Sequence, residues 1–175
     1  IVIGVLTILG SAAVILLNPA ELYQRGRDSA RISDLRSLGE AINLYTAEVG
    51  NVVPADIVYI SLPSAQTDCN DLTLPGLPPL WQYRCADVIN YRRVDGSGWL
   101  PLNLIQLSSG APFALLPVDP INSDTENLYY AYVPGSYVLS AMLTSGKNLV
   151  ERASADGGTD PARFEIGTNL GRWTR

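Results

Sequence analysis

Residues 1–17, IVIGVLTILGSAAVILL, form an almost wholly apolar run without a single charge. The chain then turns at Asn18-Pro19 into a charged, amphipathic stretch and a polar-surfaced remainder. Eleven large aliphatics crowd the run: Ile1, Val2, Ile3, Val5, Leu6, Ile8, Leu9, Val14, Ile15, Leu16 and Leu17. Burying them is worth about 15–30 kcal/mol gross as an upper bound. No soluble monomer leaves such a surface in water. The run is apolar on all sides, so it needs neighbours on all sides. Small residues, Gly4, Gly10, Ser11, Ala12 and Ala13, let helices approach closely.

Three fates are open to the run. A cleavable signal peptide is disfavoured, because no basic n-region is seen. A membrane anchor is possible at the short limit, since 17 helical residues reach about 26 Å. A stem that leaves the bilayer and packs among identical stems is the third. Gly10 and Ser11, and then Asn18 and Pro19, are weak points where a kink or unwound stretch is expected. Proline removes a helix hydrogen bond and biases the preceding residue away from helical geometry. Asn18 is equally suited to capping a second helix with Pro19 in its first turn.

From residue 19 to about 49 the spacing predicts one long helix. Ile32, Leu35, Leu38, Ile42, Tyr45 and Val49 recur at steps of three and four. The other face carries Arg25, Arg27, Asp28, Arg31, Asp34, Arg36, Glu40 and Glu48. Asp28 with Arg31, Arg31 with Asp34, and Arg36 with Glu40 are spaced to pair within the helix. This face is expected to be solvated in the isolated domain, or to set register between neighbours in an assembly. Gly50 and Asn51 stop the helix.

Beyond it, residues 52–120 are dense in Pro and Gly. Within them Ile57–Ile60 reads as a short strand, and residues 102–107 as a short helix or a turn. Trp81, Tyr83 and Trp99 are expected to pack this loop region onto the head. Residues 127–133 and 136–145 alternate in polarity around Pro134-Gly135 and predict a hairpin. Residues 147–153 read as a short helix and 163–168 as a last strand. The layout predicts an α+β fold: a long N-terminal helix, apolar stem then amphipathic half, packed on a small antiparallel sheet. The expected division is a stem at 1–18 and a head at 19–175 that includes the helix of 19–49.

The inventory of reactive groups is thin. The chain has no histidine, one lysine (Lys147) and a net charge of -5. Without histidine the commonest general base and metal ligand are absent, so catalysis is not expected. The acidic balance argues against general nucleic-acid binding. Cys69 and Cys85 bracket CNDLTLPGLPPLWQYRC. In an exported chain they are expected to form a disulfide rather than two buried thiols, and two thiols without histidine do not make a zinc site. Asp119, Asp124, Asp156 and Asp160 are loop carboxylates. They are weak calcium candidates beside the ordinary reading of turn-forming aspartates. No cofactor is otherwise expected.

The stretch GRDSARISDLRSLGEAINLYTAEVGNVVP, with Tyr45, Gly50 and Pro54, resembles the helix and its exit in type IV pilins and secretion pseudopilins. LPVDPIN, YYAYVPGSYVLSAML and DGGTDPARFEIGTNL look similar to parts of bacterial pilin-like heads. The resemblance implies a pilin-like fold and a precursor held in the inner membrane by its stem. It implies assembly machinery that stacks identical subunits into a helical filament on the bacterial surface. Attachment, surface motility or DNA uptake would be its work. The alternatives are a pseudopilin of a type II secretion system, or a membrane-tethered extracellular module binding through Trp81, Trp99 and the tyrosines.

Overall fold

A computed structural model describes residues 2–4, 18–50, 54 and 56–170. Helix α1 spans Pro19–Glu48. Asn18 sits before it at φ 40° and its side-chain oxygen accepts the Glu21 N–H at 3.5 Å. An asparagine tolerates this left-handed geometry and satisfies an orphan donor of the first turn. At the far end the Val49 and Gly50 N–H groups both bond the Tyr45 carbonyl, and Gly50 adopts φ 96°. That left-handed exit favours glycine and closes the helix where the sequence predicts.

Five strands follow: β1 (Ile57–Ile60), β2 (Gln82–Arg84), β3 (Tyr130–Val133), β4 (Val138–Met142) and β5 (Arg163–Gly167). Their order in the sheet is β2-β1-β3-β4-β5. The β3–β4 hairpin pairs Val133 with Val138 and turns through Gly135 at φ 93°. A six-residue helix, α2 (Gly146–Glu151), and short 3-10 turns at Leu104–Gln106 and Ala153–Ala155 complete the described elements.

The α+β class is as expected, but the sheet is mixed and not wholly antiparallel. β2 pairs parallel to β1, with Ile57 opposite Gln82 and Tyr59 opposite Arg84. Parallel neighbours need a long crossover, and the loop between Ile60 and Gln82 supplies it.

The sheet is covered on both faces. Leu35, Leu38 and Ile42 of α1 pack with Tyr130, Tyr132, Leu139, Ala141 and Trp99 in one cluster. Val58, Ile60, Tyr129, Ala131, Val133 and Val138 join both cysteines in the other. Side chains alternate across β3, so Tyr130 and Tyr132 face the helix while Tyr129 and Ala131 face away. Ile32 and Tyr45 are half-buried against the helix-side cluster, and Val49 is exposed. Gly39 lets helix and sheet meet: a Cβ there would lie 3.1 Å from Ile166 Cδ1 and 3.4 Å from the Tyr137 hydroxyl.

Candidate functional site

The helix is tied to the head by charge as well as by grease. Asp28 and Arg31, expected on a solvated face, have no exposed surface at all. Arg31 donates from Nε to Asp119 Oδ2 at 2.6 Å and from Nη2 to Asp119 Oδ1 at 3.0 Å. Its Nη1 donates to Asp28 Oδ1 at 2.8 Å. Asp28 also accepts the Ser145 hydroxyl and N–H at 2.6 and 2.8 Å, and the Thr144 N–H at 3.0 Å. The physical reason for the correction lies 88 residues away. Asp119 approaches from the loop before β3 and supplies the second carboxylate, and a bidentate fork is what a buried guanidinium needs.

Burial pushes the Asp28 carboxyl up, but hydrogen bonds from the Ser145 side chain and backbone, Thr144 and Arg31 together hold it below the usual aspartate range. Asp34 does not pair with Arg31. It accepts the Tyr130 hydroxyl at 2.8 Å, and burial raises its pKa despite that bond. Arg36 and Glu40 form no ion pair among the described residues. Glu21 accepts from Arg25 Nε at 3.1 Å and from the Gly146 and Lys147 N–H groups at 3.3 Å, which ties the start of α1 to α2.

Cys69 and Cys85 form the disulfide, with Cα atoms 5.6 Å apart. Behind it lies an open cleft of about 560 Å³ whose walls include Asp68, Asn70, Leu74, Trp81, Gln82 and Tyr83. Trp81 and Tyr83 are half-buried against the cluster around the disulfide. Tyr83 donates its hydroxyl to the Pro75 carbonyl at 3.0 Å. Trp99, another candidate for ligand contact, is instead a core residue. It is 1% exposed, and its indole N–H bonds the Pro117 carbonyl at 2.9 Å.

The four loop aspartates do not form one cluster. Both Asp119 oxygens are engaged by Arg31. Asp124 accepts the Thr73 N–H at 3.0 Å, Asp156 those of Gly158 and Glu165 at 2.7 and 2.6 Å, and Asp160 that of Ala162 at 2.9 Å. Among the described residues no three His, Cys, Asp or Glu side chains stand together as metal ligands would. Sequence reasoning passed over Glu165, which burial pushes above the usual glutamate range. The period-two spacing of Arg163 and Glu165 in β5 was the available signal, because it puts both on one buried face.

Of the stem, only residues 2–4 are described. They are helical, and Val2 and Ile3 are 72% and 79% exposed. Ile1, Val5, Leu6, Ile8, Leu9, Gly10, Ser11, Val14, Ile15, Leu16 and Leu17 lie outside the described residues, and with them the expected break at Gly10 and Ser11. Among the described residues no helix is long and apolar enough to cross a membrane. Comparison with protein-family models, with curated proteins and with solved structures found no match.

Proposed function

We propose that this chain is the repeating structural subunit of a helical type IV pilus filament on a bacterial surface. The observation that carries the reading is the uncharged apolar run of residues 1–17, joined through Asn18-Pro19 to a 30-residue helix. That helix is bound to its head by the buried Asp28–Arg31–Asp119 cluster. A rigid helix–head unit carrying a greasy extension suits stacking: stems bury one another while heads face outward. A head-to-tail contact that does not close generates an open helical polymer. Before assembly the same stem holds the precursor in the inner membrane, from which assembly machinery extracts it.

The test is a charge in the stem. Leu9→Asp and Ile15→Asp each bury an unpaired carboxylate in a filament core, at a cost of several kcal/mol. Sheared cell-surface fractions from such strains should contain no filaments by electron microscopy, while the folded subunit stays in the membrane. Normal filaments would overturn the reading. Deletion of residues 1–17 separates it from a tethered binding module, which would keep its ligand affinity as a free head. Loss of secreted enzymes, with no long filament on wild-type cells, would point to a secretion pseudopilin instead.

A further inference from the structure

A second cleft opens between α1 and α2, about 330 Å³ in volume. Ser29, Ser33 and Ser37 line it from α1 at successive steps of four, with Arg36 beside them. Asn148 and Arg152 close it from α2 and its C-cap. We propose that this cleft binds a doubly charged tetrahedral oxyanion, a phosphate monoester group carried by a larger molecule.

Among the described residues no carboxylate lines the cleft. Neither Arg36 nor Arg152 makes an ion pair among the described residues. In a chain of net charge -5, two exposed guanidiniums outside any ion pair bring two positive charges to one cleft. Nearby acids are spoken for: Asp28 is held by Arg31, and Glu151 pairs with Lys147 at 3.9 Å. Glu40, one turn beyond Arg36, is exposed and not part of the lining.

The donors fit the same ligand. Asn148 Nδ2 is turned to Asp28 Oδ2 at 3.4 Å, and the Ser29 hydroxyl bonds the Arg25 carbonyl at 2.8 Å. The hydroxyls of Ser33 and Ser37 therefore remain as the donors that complement the two forks. Each guanidinium offers two parallel N–H groups, which match two oxygens of a phosphate. A planar, singly charged carboxylate can satisfy one fork only. The cleft is open to solvent, so the rest of the ligand can extend outward.

The test is calorimetric titration of the full chain, held in a neutral detergent at about pH 8, where phosphate esters are dianionic. Inorganic phosphate should bind saturably at one site, with acetate weaker by at least about tenfold. Arg36→Gln and Arg152→Gln should each weaken phosphate by about tenfold, whereas the lysine variants keep the charge, lose the fork and fall between. Unchanged thermal melts without ligand show that the variants are folded. Glycerol phosphate and vesicles of phosphatidic acid, whose headgroup is a phosphate monoester, with phosphatidylcholine as control, distinguish the sources. Arginine-dependent binding of the soluble ester alone supports the site as drawn, and arginine-dependent retention on the anionic vesicles supports it with a lipid headgroup as ligand. Absence of saturable phosphate binding, equal affinity for acetate, or full affinity in the doubly substituted chain would overturn it. None of these results depends on filament assembly.

Discussion

Arg31 and Asp119 meet as a two-pronged ion pair, at 2.6 and 3.0 Å, with neither side chain exposed to solvent. One partner belongs to the N-terminal helix and the other to a loop 88 residues away. The pair therefore ties the helix to the head alongside the apolar contacts of Leu35, Leu38 and Ile42.

Removing the cation should be costly. Arg31→Met leaves two buried carboxylates, Asp28 and Asp119, with hydrogen bonds but no counter-charge. The expected loss is about 3–5 kcal/mol, read as a lower midpoint in urea denaturation. A loss within about 0.5 kcal/mol, as for an exposed side chain, would show that the cluster is solvated.

The titration of the cluster has a definite sign. Asp28 is depressed in the folded chain, so its contribution is present above the ordinary aspartate pKa and is lost as pH falls through its lower folded value. Glu165 is raised by burial, so it acts oppositely: its contribution is greatest in acid and is lost as pH rises through its folded value. Denaturation midpoints measured from mildly to strongly acid conditions should therefore fall less steeply for Asp28→Asn than for the parent chain. Glu165→Gln should remove a loss of stability on the neutral side. Parallel curves for the parent and both variants would refute this assignment.

The disulfide should act locally. Closing the loop between Cys69 and Cys85 is worth about 3 kcal/mol in the chain-entropy model. Reduction should speed amide exchange first around residues 64–85, where the Cys69, Leu72 and Cys85 N–H groups bond the Gln66, Cys69 and Thr67 carbonyls. Exchange within α1 should respond later. Equal exchange with and without reductant would contradict this.

Gly39 tests the closeness of helix and sheet. A valine there meets Ile166 and the Tyr137 hydroxyl and should cost about 1–3 kcal/mol through overpacking. The same change at Gly26, where a Cβ meets nothing within 4 Å, is the control. Comparable stability of the two variants would show that α1 does not press on the sheet at Gly39.

Local signals carried much of this fold. The three-and-four spacing of Leu35, Leu38 and Ile42, and the caps at Asn18 and Gly50, mark α1 to within a residue of its end at Glu48. Pro134-Gly135 between alternating arms marks the β3–β4 hairpin. What escaped depends on distant partners. Asp28 and Arg31 have the spacing of an ordinary surface pair, and only Asp119 makes them core residues. β2 is three residues long and sits among prolines, so no alternation announces it. Its parallel pairing rests on the crossover that the disulfide staples. The Arg36 and Arg152 cleft joins two elements whose sequences carry no shared pattern.

The central claim is that residues 1–17 become the axial core of a polymer of identical chains. Cryo-microscopy of sheared surface filaments, at a resolution that traces side chains, measures this directly. The account predicts density for Leu9 and Ile15 packed against neighbouring stems along the axis, with the sheet and the Cys69–Cys85 loop outermost. Filaments with the stem exposed to solvent, or a chain found only as single copies in lipid, would contradict it.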